Sequence, residues 1–215
     1  MKNYIVFFDF DNTITSYDVI DDMLSRFSVN DKWISLEAQW KRGEIDSRKC
    51  LKGQVREIRL TKRSLDRYLD NVTLDPYFKK VMALLESKNI KVIILSDNFD
   101  YIVNRILRNN NINGVDVYTN SLKIIGDRLI PGFPFTNKKC GRCGHCKKDN
   151  LIANSPNGAR TIYIGDGLSD TDPAQCADIV FAKDELMRYF MDRRLQCIPF
   201  NSLKDVYKYF KENFA

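Results

Sequence analysis

The sequence contains no apolar run long enough to cross a bilayer, no long block of Lys and Arg, no internal repeat and no low-complexity segment. The first absence speaks against a membrane-spanning helix, the second against a basic arm built for nucleic acid, and the last two against solenoids and disordered tails. The apolar stretch Tyr4 to Phe8 stops at Asp9 and Asp11, too short for a signal-peptide core, so a cytoplasmic protein with no membrane partner is expected. Six cysteines in such a chain point to reduced thiols or metal ligands before disulfides. What is present suits a globular fold: of 215 residues, 44% are hydrophobic and 29% charged, a mix able to bury a core. The length allows one domain with an insert or two small domains. Subtracting 28 acidic from 34 basic residues leaves a net charge of +6, which suits small anions as well as nucleic acid.

Four short β-branched or aromatic runs each end in a polar residue: Ile5 to Phe8 before Asp9, Val92 to Leu95 before Ser96, Thr161 to Ile164 before Gly165-Asp166, and Ile179 to Ala182 before Lys183. Continuous apolar runs of this length read as strands buried on both faces. Helical periodicity lies between them, at Tyr77, Val81, Leu84 and Leu85, at Ile102, Ile106 and Leu107, and at Leu203, Val206, Tyr207 and Phe210 behind a Ser202 cap. The expected fold class is α/β, a Rossmann-like parallel sheet core with helices on both sides. Residues 16–74 break the alternation. Val19, Ile20, Met23, Leu24 and Phe27, then Trp33, Leu36 and Trp40, then Leu51, Val55 and Ile58, then Leu65, Tyr68, Leu69 and Val72 predict four helices with no strand among them. Residues 16–74 therefore read as an inserted α-helical cap and residues 1–15 with 75–215 as the core, Asp75-Pro76 marking the return. Between residues 115 and 133 a hairpin turning at Gly126-Asp127 is expected.

In an open parallel sheet, ligands bind beyond the carboxyl ends of the strands. Three runs deliver polar side chains there: Asp9 with Asp11, Ser96 with Asp97, and Asp166 with Asp170. An acidic residue after a strand is, taken alone, a turn former or a helix cap; three such ends in one crevice call for another explanation. Two like charges about 4 Å apart repel by about 4 kcal/mol at an effective dielectric of about 20, so the carboxylates need a positive partner. Oxygen ligands of this kind suit Mg²⁺ and a substrate phosphate, with a lysine completing the balance.

Asp9-Phe10-Asp11-Asn12-Thr13 resembles the first signature of the haloacid dehalogenase-like hydrolases, Asp-x-Asp-x-Thr. Leu95-Ser96-Asp97-Asn98 is similar to their second motif, and Gly165-Asp166-Gly167-Leu168-Ser169-Asp170 to the fourth, Gly-Asp-x-x-x-Asp. The helical insert between the first two motifs matches the phosphoserine-phosphatase-like subclass. Cys143-Gly144-His145-Cys146-Lys147 resembles the Cys-Lys segment of its methionine-salvage and phosphoethanolamine/phosphocholine phosphatase groups, which makes Lys147, ahead of Lys148 or Lys123, the lysine of the third motif. The resemblance implies a phosphatase of a small phosphorylated metabolite. Asp9 would be the nucleophile that becomes an aspartyl-phosphate and Asp11 the general acid and base. Mg²⁺ would be held by Asp9, Asp166 and the backbone carbonyl of Asp11. Ser96 and Lys147 would grip phosphoryl oxygens, and Asp170 would position Lys147 or a metal-bound water. Thr13 would contact phosphate or hold its loop. Asp18 lies where phosphoserine phosphatases carry an acidic residue that meets the substrate amine. Asn12 stands where a glycine is common in the salvage group.

Other features have plainer readings. Asp21 and Asp22 suit a helix N-terminus, where acidic side chains contribute about 0.3 to 1 kcal/mol each. Trp33 and Trp40 read as cap core. His145, the single histidine, reads as exposed. Cys140, Cys143 and Cys146 crowd three thiols together without the separated second pair of a structural zinc site, so local packing or a redox-sensitive loop is expected before zinc. Two other classes compete with the phosphatase. A zinc-containing nucleic-acid-binding protein would leave the aspartates unexplained, and a phosphoryl-accepting switch would not need the helical cap.

Overall fold

The computed structural model describes residues 3–137 and 143–214; Cys140 lies outside them. Seven strands form one sheet in the order β4-β3-β2-β1-β5-β6-β7. They are β1 (Tyr4–Phe8), β2 (Lys91–Phe99), β3 (Asp116–Ile125), β4 (Arg128–Gly132), β5 (Arg160–Gly165), β6 (Ile179–Ala182) and β7 (Ile198–Pro199). Neighbours run parallel except β3 and β4, the expected hairpin, whose turn uses Gly126 at a φ of +62° that a side chain would strain. β1 is central, paired with β2 on one side and β5 on the other.

Strict alternation along β1 explains the layering. Val6 and Phe8 belong to one buried cluster, with Phe78, Val81 and Leu85 of α5 (Phe78–Ser87), Ile102 and Ile106 of α6 (Asp100–Asn109), and Leu203 and Val206 of α10 (Leu203–Asn213). Ile5 and Phe7 belong to the opposite cluster, with Leu151 of α7 (Lys147–Ala153), Ala174 of α8 (Thr171–Ala174), and Leu186 and Phe190 of α9 (Asp184–Asp192). Each such fully buried side chain contributes roughly 1.5 to 3 kcal/mol. The apolar runs end where the sheet ends, so the polar residues that follow them emerge along one rim.

Four helices separate β1 from α5: α1 (Val19–Phe27), α2 (Lys32–Lys41), α3 (Ser47–Arg56) and α4 (Lys62–Leu69), with no strand between them among the described residues. Three have side-chain N-caps, Asp18 to the Asp21 N–H at 2.9 Å, Asp46 to that of Lys49 at 2.6 Å and Thr61 to that of Ser64 at 3.3 Å, each contributing about 1 kcal/mol. The chain enters and leaves this segment side by side, Thr15 bridged to Leu74 and the Asp75 N–H donating to the Ile14 carbonyl at 2.8 Å. Val19, Met23, Leu24, Val55, Leu65 and Leu69 join the same buried cluster as β1.

Three expectations change. The second strand runs past Leu95 to Phe99, with a pairing shift between those residues, so Ser96, Asp97 and Asn98 lie within a bulged strand end rather than after it. β7, two residues long, carries too little pattern to be read from sequence. α2 has no buried residue: Trp33 packs partly buried against the core, whereas Trp40 lines a cavity instead of filling the interior. Among the described residues, no helix is long and apolar enough to cross a membrane.

Candidate active site

At the carboxyl rim, a cavity of about 390 Å³ opens between the sheet and the helical segment. Asp9 follows β1 directly and is 6% exposed, its N–H donating to the Ile164 carbonyl at 2.9 Å. The chain then turns through Asn12 at a φ of +52°, a left-handed conformation that Asn tolerates better than most side chains. That turn lets the Asn12 carboxamide donate to Asp166 Oδ2 at 2.8 Å and to Asp184 Oδ2 at 3.1 Å. The loops after β1 and β5 are thereby tied together although 154 residues separate the partners.

Lys147 begins α7 and is 3% exposed. Its Nζ donates to Asp9 Oδ1 at 2.5 Å, Asp170 Oδ1 at 2.7 Å and Ser169 Oγ at 3.2 Å, one acceptor for each proton. Burial opposes its charge, but Asp170, Asp9, Tyr163 and Asp97 outweigh that and hold the ammonium well above its ordinary pKa. Lys148 and Lys123 are exposed. Asp170 is fully engaged: Oδ1 also accepts the Tyr163 hydroxyl at 2.6 Å, and Oδ2 accepts the N–H groups of Asp166 and Gly167 at 3.0 Å each. Gly165 permits this approach, since a Cβ there would lie 2.6 Å from Asp170 Oδ2.

Among the described residues, the group of His, Cys, Asp or Glu side chains able to hold a metal ion is Asp9, Asp166 and Asp170, with ligand atoms within 4.8 Å of one another. The all-oxygen donor set suits a hard divalent cation. Within it, Asp170 accepts two donors on each oxygen, so Asp9 and Asp166 have the free lone pairs. Burial raises the pKa of both, and the charge of Asp170 adds to that rise; Lys147 pulls Asp9 back, and Asn12 and Thr13 pull Asp166 back. A bound cation would relieve that like-charge repulsion.

Asp11 faces Asp9's side of the cavity from the same loop. Its Oδ1 accepts the Val19 N–H, and the Asn98 carboxamide donates to both of its oxygens, all at 3.0 Å. Burial raises Asp11 to about 6, with the bonds from Asn98 and Val19 limiting the rise. Ser96 is wholly buried; its hydroxyl accepts the Asn98 N–H at 3.0 Å and reaches Asp11 Oδ2 at 3.5 Å. The Thr13 hydroxyl donates to Asp166 Oδ1 at 3.0 Å, and Thr13 does not line the cavity. This contact holds the loop instead of facing a ligand.

The roof of the cavity comes from the helical segment. Asp18, Asp21, Glu37, Trp40, Lys41 and Gln54 line it, and α9 adds Glu185 and Arg188. Burial first, then Asp11, pushes Asp18 up to about 7; Asp21, more exposed, is raised in the same direction by partial desolvation at the cavity and by the neighbouring Asp18 and Glu37. Asp21 is thus part of the cavity wall and not only a helix-terminus charge. Asp22 instead pairs with Arg26 at 2.8 Å and accepts the Tyr68 hydroxyl at 2.7 Å.

His145 corrects the sequence reading. It is 2% exposed, its Nε2 3.0 Å from the Asn150 carboxamide nitrogen and its ring 5.5 Å from that of Phe135. Burial, followed by the Lys147 charge, lowers its pKa to about 3, so it is a neutral packing group. Of the cysteine cluster, Cys143 and Cys146 are described, Cys146 buried at the start of α7, and neither falls in a metal-holding group among the described residues. Sequence reasoning passed over Asn98, Tyr163 and the buttressing role of Asn12; the Asn immediately after Ser96-Asp97 was the only local signal. A second cleft of about 460 Å³, beside α6 and β3, has none of these carboxylates.

A 2-hydroxy-3-keto-5-methylthiopentenyl-1-phosphate phosphatase of Exiguobacterium sibiricum is 27% identical over 207 residues, covering 92% of each chain. The bifunctional enzyme MtnB/MtnX of Bacillus licheniformis is 26% identical over 99% of this chain, which spans 50% of that protein's length. Bos taurus phosphoserine phosphatase is 24% identical over 80% of this chain and 78% of its own. In three dimensions the fold matches a phosphoserine phosphatase solved as a phospho-aspartyl intermediate analogue, with a TM-score of 0.76 at 19% identity over 97% of this chain and 99% of that one. Residues 4–196 match the family described as "Putative Phosphatase", and the chain belongs to it, a phosphatase of the haloacid dehalogenase-like, phosphoserine-phosphatase-like kind.

Proposed function

We propose that this phosphatase is a Mg²⁺-dependent phosphomonoesterase of a small phosphorylated metabolite, working through a phosphoryl group carried on Asp9. Residues 1–15 and 75–215 form the catalytic core in this reading and residues 16–74 the cap. The observation that carries it is the buried ammonium of Lys147 shared between Asp9 and Asp170, beside Asp166, at the rim where three strands end.

Asp9 attacks phosphorus in line, forming its O–P bond as the ester P–O bond breaks, which divides one difficult displacement into two. Asp11 donates a proton to the departing oxygen and later takes one from the water that cleaves the phosphoenzyme; with a pKa near 6 it can hold and release that proton around neutrality. Lys147 binds a phosphoryl oxygen by turning to it the proton that Ser169 accepts at 3.2 Å, the longest of its three contacts, while Asp170, braced by Tyr163 and two backbone N–H groups, keeps it aimed; Ser96, wholly buried beside Asp11 and off the cavity wall, is the second phosphoryl-binding group of this reading. Asp9 and Asp166, with the Asp11 carbonyl, would hold Mg²⁺, which when bound gathers phosphoryl oxygens and offsets their developing charge. Asp18, in the cap wall, meets a cationic group on the substrate, so amino phosphates should be turned over faster than non-amino analogues.

Asp9→Asn keeps the shape and removes the nucleophile. Release of phosphate from p-nitrophenyl phosphate should fall by at least about a thousand-fold, as expected when a covalent step is lost. Turnover by the folded variant at the parent rate would refute the role of Asp9.

A further inference from the structure

The proposed mechanism needs the Asp11 carboxyl to point steadily at the leaving oxygen, yet the Asp-x-Asp loop supplies no side chain that fixes it. The fixing groups come from elsewhere. Asn98, 1% exposed in the bulged end of β2, accepts the Phe99 N–H on its Oδ1 at 2.6 Å. That bond defines which end of the carboxamide is which, so Nδ2 must face Asp11, where it lies 3.0 Å from both carboxyl oxygens. The Val19 N–H then gives Oδ1 a second donor, while Oδ2 has only the Ser96 hydroxyl at 3.5 Å besides Asn98.

We propose that Asn98 is the positioning residue for Asp11, gripping its carboxyl so that Oδ2 is the oxygen that passes the proton to the leaving group and takes it back from water. This rests on the reading of Asp11 as general acid. Without the carboxamide, the Val19 N–H would hold Oδ1 and the Ser96 hydroxyl, at 3.5 Å, would be all that reaches Oδ2, a weak restraint on rotation about the Cβ–Cγ bond. A misplacement of about 1 Å in such a group costs as much as a hundred-fold in rate.

The experiment compares kcat/KM, which reports the step in which the ester bond breaks, on two Mg²⁺-supported substrates. Glycerol 2-phosphate releases an alkoxide that needs a proton; p-nitrophenyl phosphate releases an anion that does not. Asn98→Ala and Asn98→Asp should each lose about ten- to a hundred-fold on glycerol 2-phosphate, a part of the roughly 10²–10⁴ that general acid catalysis supplies, and less than about three-fold on p-nitrophenyl phosphate. Asn98→Asp keeps the acceptor for the Phe99 N–H but replaces the donor by a carboxylate that repels Asp11, whereas Asn98→Ala removes the donor without adding charge; a loss common to both variants therefore reports the grip and not the turn or the added charge. Asp11→Asn is the reference. If it shows the same substrate-dependent loss and the Asn98 variants lose equally on both substrates, or not at all, the proposal is overturned. If Asp11→Asn itself fails to discriminate, the general-acid reading falls, and the proposal with it.

Discussion

The floor and the roof of the cavity are built by different rules. On the floor, Lys147 and Asp170 are almost wholly buried and each of their ammonium protons or carboxyl oxygens has a partner, so the groups that the proposed mechanism sets against phosphate are fixed before anything binds. In the roof, α2 buries no residue; its Lys41, paired with Glu37 of the same helix at 2.8 Å, lies 3.9 Å from Glu185 of α9 on an exposed surface. On the opposite side the helical segment is firmly held: Arg105 of α6 donates through Nε and Nη2 to the two oxygens of Asp70 at 2.9 and 3.0 Å, and the Tyr101 hydroxyl donates to Asp66. In the mechanism proposed above, the chemistry shared by all phosphate esters thus sits on preorganised ground, while the surface that would meet the variable part of a ligand is held by α6 and by the Ser47 hydroxyl, which accepts the Gly144 N–H at 2.7 Å, and is lightly tied along α2.

That contrast can be broken most directly at Lys147. Lys147→Met would leave Asp9 and Asp170 buried without their cation, a loss of about 3 to 5 kcal/mol for one partner of a buried pair. In a protein of this size this corresponds to a fall in Tm of roughly 6 to 20 °C by calorimetry. A Tm within a degree or two of the parent would mean that the floor is not held together by this charge.

A middle-sized effect is expected at Asp18, where floor and roof meet. Its pKa is raised from 3.8 to about 7, so its contribution to stability is fully present below about pH 3.8 and is lost as pH rises through about 7. Asn caps a helix as well as Asp does, so Asp18→Asn keeps the cap and removes the titration. With chelator present, the variant should gain on the parent by roughly 1 to 4 kcal/mol, or roughly 2 to 16 °C in Tm, at pH 8, and by less than half as much at pH 5. A difference in Tm independent of pH would show that Asp18 is not pushed up by its surroundings.

The smallest effect belongs to the loose edge. Lys41→Ala removes an exposed ion pair and should change stability by less than about 1 kcal/mol, while KM for a charged substrate shifts because Lys41 lines the cavity. A large drop in Tm here would erase the distinction between the two regions.

Much of this was legible because the signals were local. Asp9, Asp11, Asp166 and Asp170 could be found as polar residues ending apolar strands, and Gly126-Asp127 as a turn. Lys147 was reached through resemblance, since a lysine in a Gly- and Cys-containing loop has no pattern that announces burial. His145 was misread for the same reason: Phe135, against which its ring packs, is ten residues away in the segment after the hairpin, and Asn150 meets it only because α7 starts at Lys147. Trp40 looked like core because apolar spacing marks which face turns inward but not whether a cavity lies beneath it. Asn98 carried no period at all, and its partner is 87 residues away.

Periodicity along the chain was enough to define the parallel sheet, the helical insert and the rim on which the carboxylates stand, because strand and helix spacing are properties of neighbouring residues. How the Asp11 carboxyl is gripped, why Asp170 is saturated while Asp166 is not, and which carboxyls of the roof are pushed up are settled by contacts between segments far apart in sequence. Those depend on distances of a few ångströms and on the exclusion of water, and both come into being only when the layers close on one another.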